Sequence, residues 1–149
     1  RKSPLLPEKK YVYSGLSFYL YPQIIKNATG VDFETYVKDS IYRPLGAWTL
    51  TYNPYKHFPL EQIAPTENDT FFRKEQLRGW VHDEGAAMMG GVSGNAGLFG
   101  TANDLAKLMQ MYLNMGEFGG RRFISDTTLR EFSKWQFPKN DNRRGLGFD

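Results

Sequence analysis

The stretch from Trp80 to Leu113, WVHDEGAAMMGGVSGNAGLFGTANDLAKLMQMYL, decides how the rest of the chain is read. Its first half holds six of the chain's 15 glycines, at 85, 90, 91, 94, 97 and 100. In its second half Leu105, Leu108, Met109, Tyr112 and Leu113 fall at i, i+3, i+4, i+7 and i+8, the spacing of one buried helical face. The spacing predicts a helix with Leu105, Leu108, Met109 and Tyr112 buried together and Lys107 and Gln110 outside. Thr101 is a natural N-cap, Asp104 stands at the N3 place of a capping box, and Gly116 is a C-terminal stop. A glycine-rich loop headed by His82, Asp83 and Glu84 therefore feeds a core helix. Glycine lets backbone approach backbone, or a ligand, where a side chain would clash. Such a loop is either a tight crossing between packed elements or the lining of a cleft.

Upstream, residues 1–10 are polar, contain Pro4 and Pro7, and read as an extended lead-in. Leu16, Leu20, Ile24 and Ala28 recur every four residues and predict a helix over 16–29, ended by Gly30 and kinked or restarted at Pro22. A second helix begins after Asp32, presents Phe33, Tyr36, Val37 and Ile41, and closes at Pro44 and Gly46. The short connection makes the two helices neighbours. Residues 47–79 read as irregular, broken by Pro54, Pro59 and Pro65, with a short strand within Thr49–Tyr52. Downstream, Glu117–Ile124 reads as a hairpin turning at Gly119-Gly120. Ser125 or Asp126 caps a last helix carrying Leu129 and Phe132, and Gly145–Phe148 alternates like the start of a strand.

Composition bounds the function. A chain of 149 residues, 40% hydrophobic and 15% aromatic, supports a folded core rather than a disordered segment. It has no cysteine, so neither a disulfide framework nor thiolate chemistry. No apolar run is long enough to span a membrane, and RKSPLLPEKK does not read as a signal peptide. The net charge is only +3, and the pairs Arg121-Arg122 and Arg143-Arg144 read as solvated surface, so nucleic acid is not an expected partner.

GGVSGNAGLFGTANDLAKLMQMYLN resembles the GG-x-x-G-x-AGL block of serine β-lactamase-related hydrolases, a family that includes class C β-lactamases, penicillin-binding proteins and related esterases. VHDE before it, Ile63-Ala64-Pro65-Thr66-Glu67, YSGLSFYL and DFETYVKDSIYRPLGA extend the resemblance from Tyr11 to about Phe148. The resemblance implies a mainly α chain: the helical region of a β-lactamase/transpeptidase-like α/β fold, forming a single partial domain over 1–149, with only short strands and the main sheet largely missing. It implies acyl transfer through a serine in an intact parent, on a β-lactam, a peptidoglycan peptide or an ester. An exported, periplasmic or extracellular location, and in some relatives fusion to a glycoside hydrolase module, are implied on the same ground. The rival is a non-catalytic cell-wall binding or scaffold domain derived from that family. No cofactor is expected.

The family's chemistry needs a serine with a lysine three residues on, a Tyr-x-Asn, and a Lys-Thr-Gly or His-x-Gly. None of the serines has lysine at i+3, and no lysine or histidine opens the third motif where a closing strand would carry it. The chain is therefore expected to be inactive by itself. Tyr13-Ser14-Gly15 occupies the place of the second motif, with Gly15 where the family has an asparagine. Tyr13 is thus a proton-shuttle candidate in the parent, or a buried structural tyrosine. His82 and Asp83 are candidates to face substrate or to fix the loop; consecutive side chains diverge and do not converge on one ion, so no metal is expected. Asn95 stands where relatives often carry histidine, as a donor to a ligand or as a turn residue tolerating positive φ. If the closing sheet is missing, the helices at 16–29 and 101–115 carry uncovered apolar residues, and the expected consequence is self-association.

Overall fold

A computed structural model describes residues 12–138 and 142–148, so the lead-in expected over 1–10 lies outside the described residues. The architecture is mainly α, with short strands joined only as two-stranded antiparallel ribbons among the described residues. The chain forms two compact units, one spanning Gly15–Leu108 and the other drawing on the chain before residue 15 and after residue 108.

In the larger unit, the expected first helix restarts at its proline. A 3-10 turn over Leu16–Leu20 gives way to α1, Tyr21–Thr29, with Pro22 in the first turn, where its missing N–H leaves no helical bond unmade. Gly30 ends α1, its N–H donating to the Lys26 carbonyl at 2.8 Å. The helix α2, Phe33–Val37, follows Asp32, whose carboxylate does not cap it but pairs with Lys26 at 2.8 Å. It widens into a π-helical turn over Lys38–Tyr42, and α1 packs on α2 as expected. The buried residues Val37, Tyr42, Leu45, Ala47, Leu50 and Tyr52 then follow one another closely. Of these, Leu50 lies close to Gly100 and Tyr52 close to Gly97 in the glycine-rich loop.

The stretch over 47–79 is more ordered than its prolines suggest. The strand β1, Thr51–Tyr52, lies within the expected span and pairs with a later strand. Two further strands, β2, Pro65–Asp69, and β3, Glu75–Arg78, form an antiparallel hairpin whose register shifts between Pro65 and Glu67. Both strands show polar residues on both faces, so the alternation that marks a half-buried strand is missing. The turn is built by Asp69, whose carboxylate accepts from the N–H groups of Phe71, Phe72 and Arg73 at 2.9, 2.8 and 2.9 Å.

Within the glycine-rich stretch lie a short helix α3, Glu84–Met88, and the strand β4, Leu98–Phe99, which pairs with β1. The helix α4, Ala102–Leu113, forms where the periodicity places it. The Thr101 hydroxyl accepts from the Asp104 N–H at 3.3 Å, which is one half of the capping box. The other half is not made: the Asp104 carboxylate turns to Thr49, taking its N–H and its hydroxyl at 2.7 Å each. That long-range contact rotates the helix. Asp104 and Met111 are buried, Leu108 and Tyr112 are half-buried, and Leu105 and Met109 are 46% and 44% exposed. Lys107, expected outside, is half-buried and bonds the Gly46 carbonyl and Asp104; Gln110 is exposed as expected. The buried face is thus the Asp104–Met111 edge rather than the Leu105–Met109 edge. Leu105→Ala is accordingly expected to change stability by less than about 1 kcal/mol in a urea titration. A loss of about 2–5 kcal/mol, the range for a core leucine, would restore the original face.

The smaller unit contains a hairpin of β5, Glu117–Phe118, and β6, Arg121–Arg122, turning at Gly119-Gly120 as expected. Arg122 pairs across it with Glu117 at 3.0 Å. Ser125 caps α5, Asp126–Ser133, accepting from the Thr128 N–H at 3.1 Å. Of the two apolar residues expected on α5, Leu129 is buried and Phe132 is exposed. Gly145–Phe148 is not the start of a strand. The Gly145 N–H donates to the Phe148 carbonyl at 3.0 Å and the Leu146 N–H to the Phe132 carbonyl at 2.7 Å, which folds the segment into a turn.

Candidate functional site

The loop before α4 is held from both sides. Before it, Arg73 donates its Nε to Asp69 at 3.0 Å and its two terminal nitrogens to the carbonyls of Val81 and His82, each at 2.6 Å. A planar guanidinium with several donors suits this task, and a lysine would not reproduce it. The backbone N–H groups of Arg73 and Phe72, with the guanidinium, hold the Asp69 carboxyl well below the usual carboxylate range against the opposing effect of burial. Trp80 stacks on Tyr55 with ring centroids 3.9 Å apart. After α3, Asn53 donates to the Gly90 carbonyl at 2.9 Å and the Tyr52 hydroxyl to the Ser93 carbonyl at 3.3 Å.

Between these anchors lies a polar cluster. Asp83 caps α3, accepting from the Ala86 N–H at 2.7 Å. The Tyr19 hydroxyl donates to the same carboxylate at 3.2 Å. This approach requires a glycine at 85, because a Cβ there would run into the Tyr19 hydroxyl. Asn95 accepts from the Ser93 hydroxyl at 2.6 Å, and its side chain acts on both Asp83 and Tyr19. Burial pushes the Asp83 carboxyl up, but the bonds from Ala86, Asn95 and Tyr19 and the neighbouring His82 outweigh it, so the group lies below its ordinary value. Burial, and then the Asp83 charge, push the Tyr19 phenol up. At neutral pH the cluster is a charged carboxylate beside a protonated phenol and an amide. It offers hydrogen bonds and fixed charge rather than proton transfer.

Of the sequence candidates, Asp83 and Asn95 are brought together, with Tyr19 between them. His82 is exposed beside Asp83, and its carbonyl is taken by Arg73. Among the described residues no three histidine, aspartate or glutamate side chains gather as a metal site. Asn95 lies in a bend without adopting positive φ. Tyr13 belongs to the other compact unit and is 65% exposed, not buried as its structural alternative required. The Arg144 guanidinium lies over its ring, 5.4 Å from the centroid. Gly15 has open space where a Cβ would stand, so packing does not exclude the family's asparagine. The segment Ile63–Thr66 lines a groove of about 290 Å³ together with Phe99 and Gly100.

Tyr19 and Arg73 were not singled out by sequence reasoning. Tyr19 reads as one more aromatic of the YSGLSFYL helix, and its partner is 64 residues away. Arg73 reads as a surface charge until the Asp69 turn brings it to the loop.

The Beta-lactamase family model matches residues 1–149. A protein of Escherichia coli (strain K12) named "Putative D-alanyl-D-alanine carboxypeptidase" is 38% identical over 99% of this chain and 37% of its own length. A protein of Salmonella gallinarum with the same name is also 38% identical, over the same shares of the two chains. The chain thus spans little more than a third of these curated relatives. The solved structure of the octameric penicillin-binding protein homologue from Pyrococcus abyssi is similar in fold, with a TM-score of 0.58 at 19% identity over 87% of this chain and 26% of that one. The glycine block, the helix it feeds and the match along the whole sequence agree: the chain belongs to the β-lactamase family.

Proposed function

We propose that this chain forms the helical, cleft-wall part of a serine acyl-transfer enzyme that acts on cell-wall peptides outside the cytoplasm. We propose further that it does no chemistry alone. The carrying observation is the Tyr19–Asp83–Asn95 cluster, held by Arg73 and Asn53 at the mouth of the glycine loop. A charged carboxylate and an amide in fixed positions suit the amide groups of a peptide backbone. The names of the relatives favour a stem peptide ending in D-alanyl-D-alanine over a β-lactam or a simple ester. Inactivity is supported by what the serines do. Ser93 is buried and bonded to Asn95, Ser125 caps a helix, and Ser133 donates to the Leu129 carbonyl at 2.7 Å. None is followed by a lysine at i+3.

One observation favours a second reading, a wall-binding domain without catalysis. Gly15 supplies no amide where the family's Tyr-x-Asn has one. The two readings separate in the full-length parent. If it is an enzyme, Asn95→Ala lowers kcat/KM for a D-alanyl-D-alanine peptide by about tenfold or more. If it is a binding domain, there is no turnover to lower. The isolated chain is expected to release no D-alanine above background and to leave a chromogenic β-lactam intact. Turnover, or a serine adduct in the mass spectrum, would refute its inactivity.

A further inference from the structure

We propose that a second groove, on the segment following α2, binds a small ring compound carrying a carboxylate, with the carboxylate on Lys38 and the ring face on Trp48. The groove has a volume of about 260 Å³ and is walled by Lys38, Tyr42, Arg43, Trp48, His57 and Phe58, among others. It shares no residue with the Tyr19–Asp83–Asn95 cluster and none with the Ile63–Thr66 groove except Phe58.

Charge decides the sign of the ligand. Among the described residues no acidic side chain lines this groove. The nearest carboxylate in sequence, Asp39, is engaged by Arg43 at 2.7 Å. Lys38 is half-buried and makes no ion pair among the described residues. Arg73 and Lys107, which are also half-buried, each hold a carboxylate, at 3.0 and 2.7 Å. A partly desolvated ammonium without a counter-ion attracts an anion more strongly than a solvated one does, because the local dielectric is lower.

Shape decides the rest of the ligand. Trp48 is 70% exposed and stands on the groove wall, so its indole face is open to stacking. An inorganic anion would use Lys38 and leave Trp48 unused, and a neutral ring would do the reverse. A carboxylate joined to a flat ring uses both. The volume lies just under the range of small-molecule pockets, which begins at about 300 Å³, and so admits one ring rather than a chain of them. Two sources share this chemistry, an aromatic acid and a sugar acid, since a sugar also presents an apolar face to an indole.

The test is a titration of the protein followed by NMR at the Trp48 indole N–H, with benzoate, glucuronate, benzamide and inorganic phosphate as separate probes. We expect saturable shifts with at least one carboxylate and none with benzamide or phosphate. Benzoate alone assigns an aromatic acid, and glucuronate alone a sugar acid. Lys38→Met should weaken binding about tenfold, or about 1.4 kcal/mol, and Lys38→Arg should keep it. Trp48→Ala, followed at the Phe58 backbone amide, should weaken it as well. Saturation by neither carboxylate would overturn the proposal. So would equal binding by Lys38→Met, or by phosphate as tightly as by the ring acids. Both substituted positions reach solvent, so circular dichroism is expected to match the unsubstituted chain and to separate lost binding from lost fold.

Discussion

Gly97→Ala is expected to destabilise the chain by about 2–5 kcal/mol, from about 1–2 for the backbone and about 1–3 for overpacking. Gly97 has φ near 104°, a conformation that alanine disfavours. It is buried, and a Cβ there would meet the Gly91 carbonyl oxygen and the Tyr52 ring. The carbonyl belongs to backbone and has no rotamer with which to yield. Relief would have to move either β4, which Leu98 pairs to Tyr52, or the turn at Gly90-Gly91 that Asn53 holds. Urea unfolding monitored by Trp fluorescence checks the magnitude. The same substitution at Gly90, where a Cβ would meet nothing, isolates the backbone contribution, because its φ of 81° is also positive. Equal losses at 90 and 97 would mean that the close approach at 97 contributes nothing.

What was legible in the sequence is what local chemistry decides. Pro22 allows a helix after it and not through it, so the restart at Tyr21 could be read from one residue. Gly119-Gly120 and Ser125 announced a turn and a cap in the same local way. The glycine block was open to two readings, a tight crossing or the lining of a cleft, and the close approaches at Gly85, Gly91 and Gly97 belong to the first. What was not legible depends on partners far along the chain. The β2–β3 hairpin has polar residues on both faces and turns at Asp69 and at Lys74, whose φ of 57° no glycine announces. The helix α3 is five residues long and lies among glycines, and its signal was the Asp83 cap, read instead as a residue that faces substrate or fixes the loop. The face of α4 was misjudged for a related reason. Apolar spacing gave weight to Leu105 and Met109, whereas the contact that orients the helix is polar and joins Asp104 to Thr49.

That contact carries the second large expectation. Asp104→Ala should lose about 2–4 kcal/mol, between the value of one unsatisfied buried group and that of a broken buried pair. The carboxylate is buried and accepts from the Thr49 N–H, the Thr49 hydroxyl and the Lys107 ammonium, each at 2.7 Å. Removing it leaves the Thr49 N–H without its acceptor. Thr101 keeps its own bonds, from its N–H to the Thr49 hydroxyl at 3.0 Å, between the two hydroxyls at 3.1 Å, and from the backbone N–H of residue 104 to its hydroxyl at 3.3 Å. Burial pushes the Asp104 carboxyl up, but the Lys107 and Thr49 bonds outweigh it, so its folded value lies below the unfolded one. The sign follows from linkage: a depressed carboxyl stabilises the fold above its unfolded value and loses that contribution as pH falls through the folded value. Stability should therefore hold at neutral pH and decline below about pH 4. Asp69 and Asp83, which are depressed as well, add to the same decline. Asp104→Asn keeps the shape and removes the titration, so its acid limb should be shallower than that of the unsubstituted chain. Parallel acid limbs for the two proteins would show that Asp104 does not hold α4 by its charge, and would leave the helix face to be explained by packing at Met111 alone.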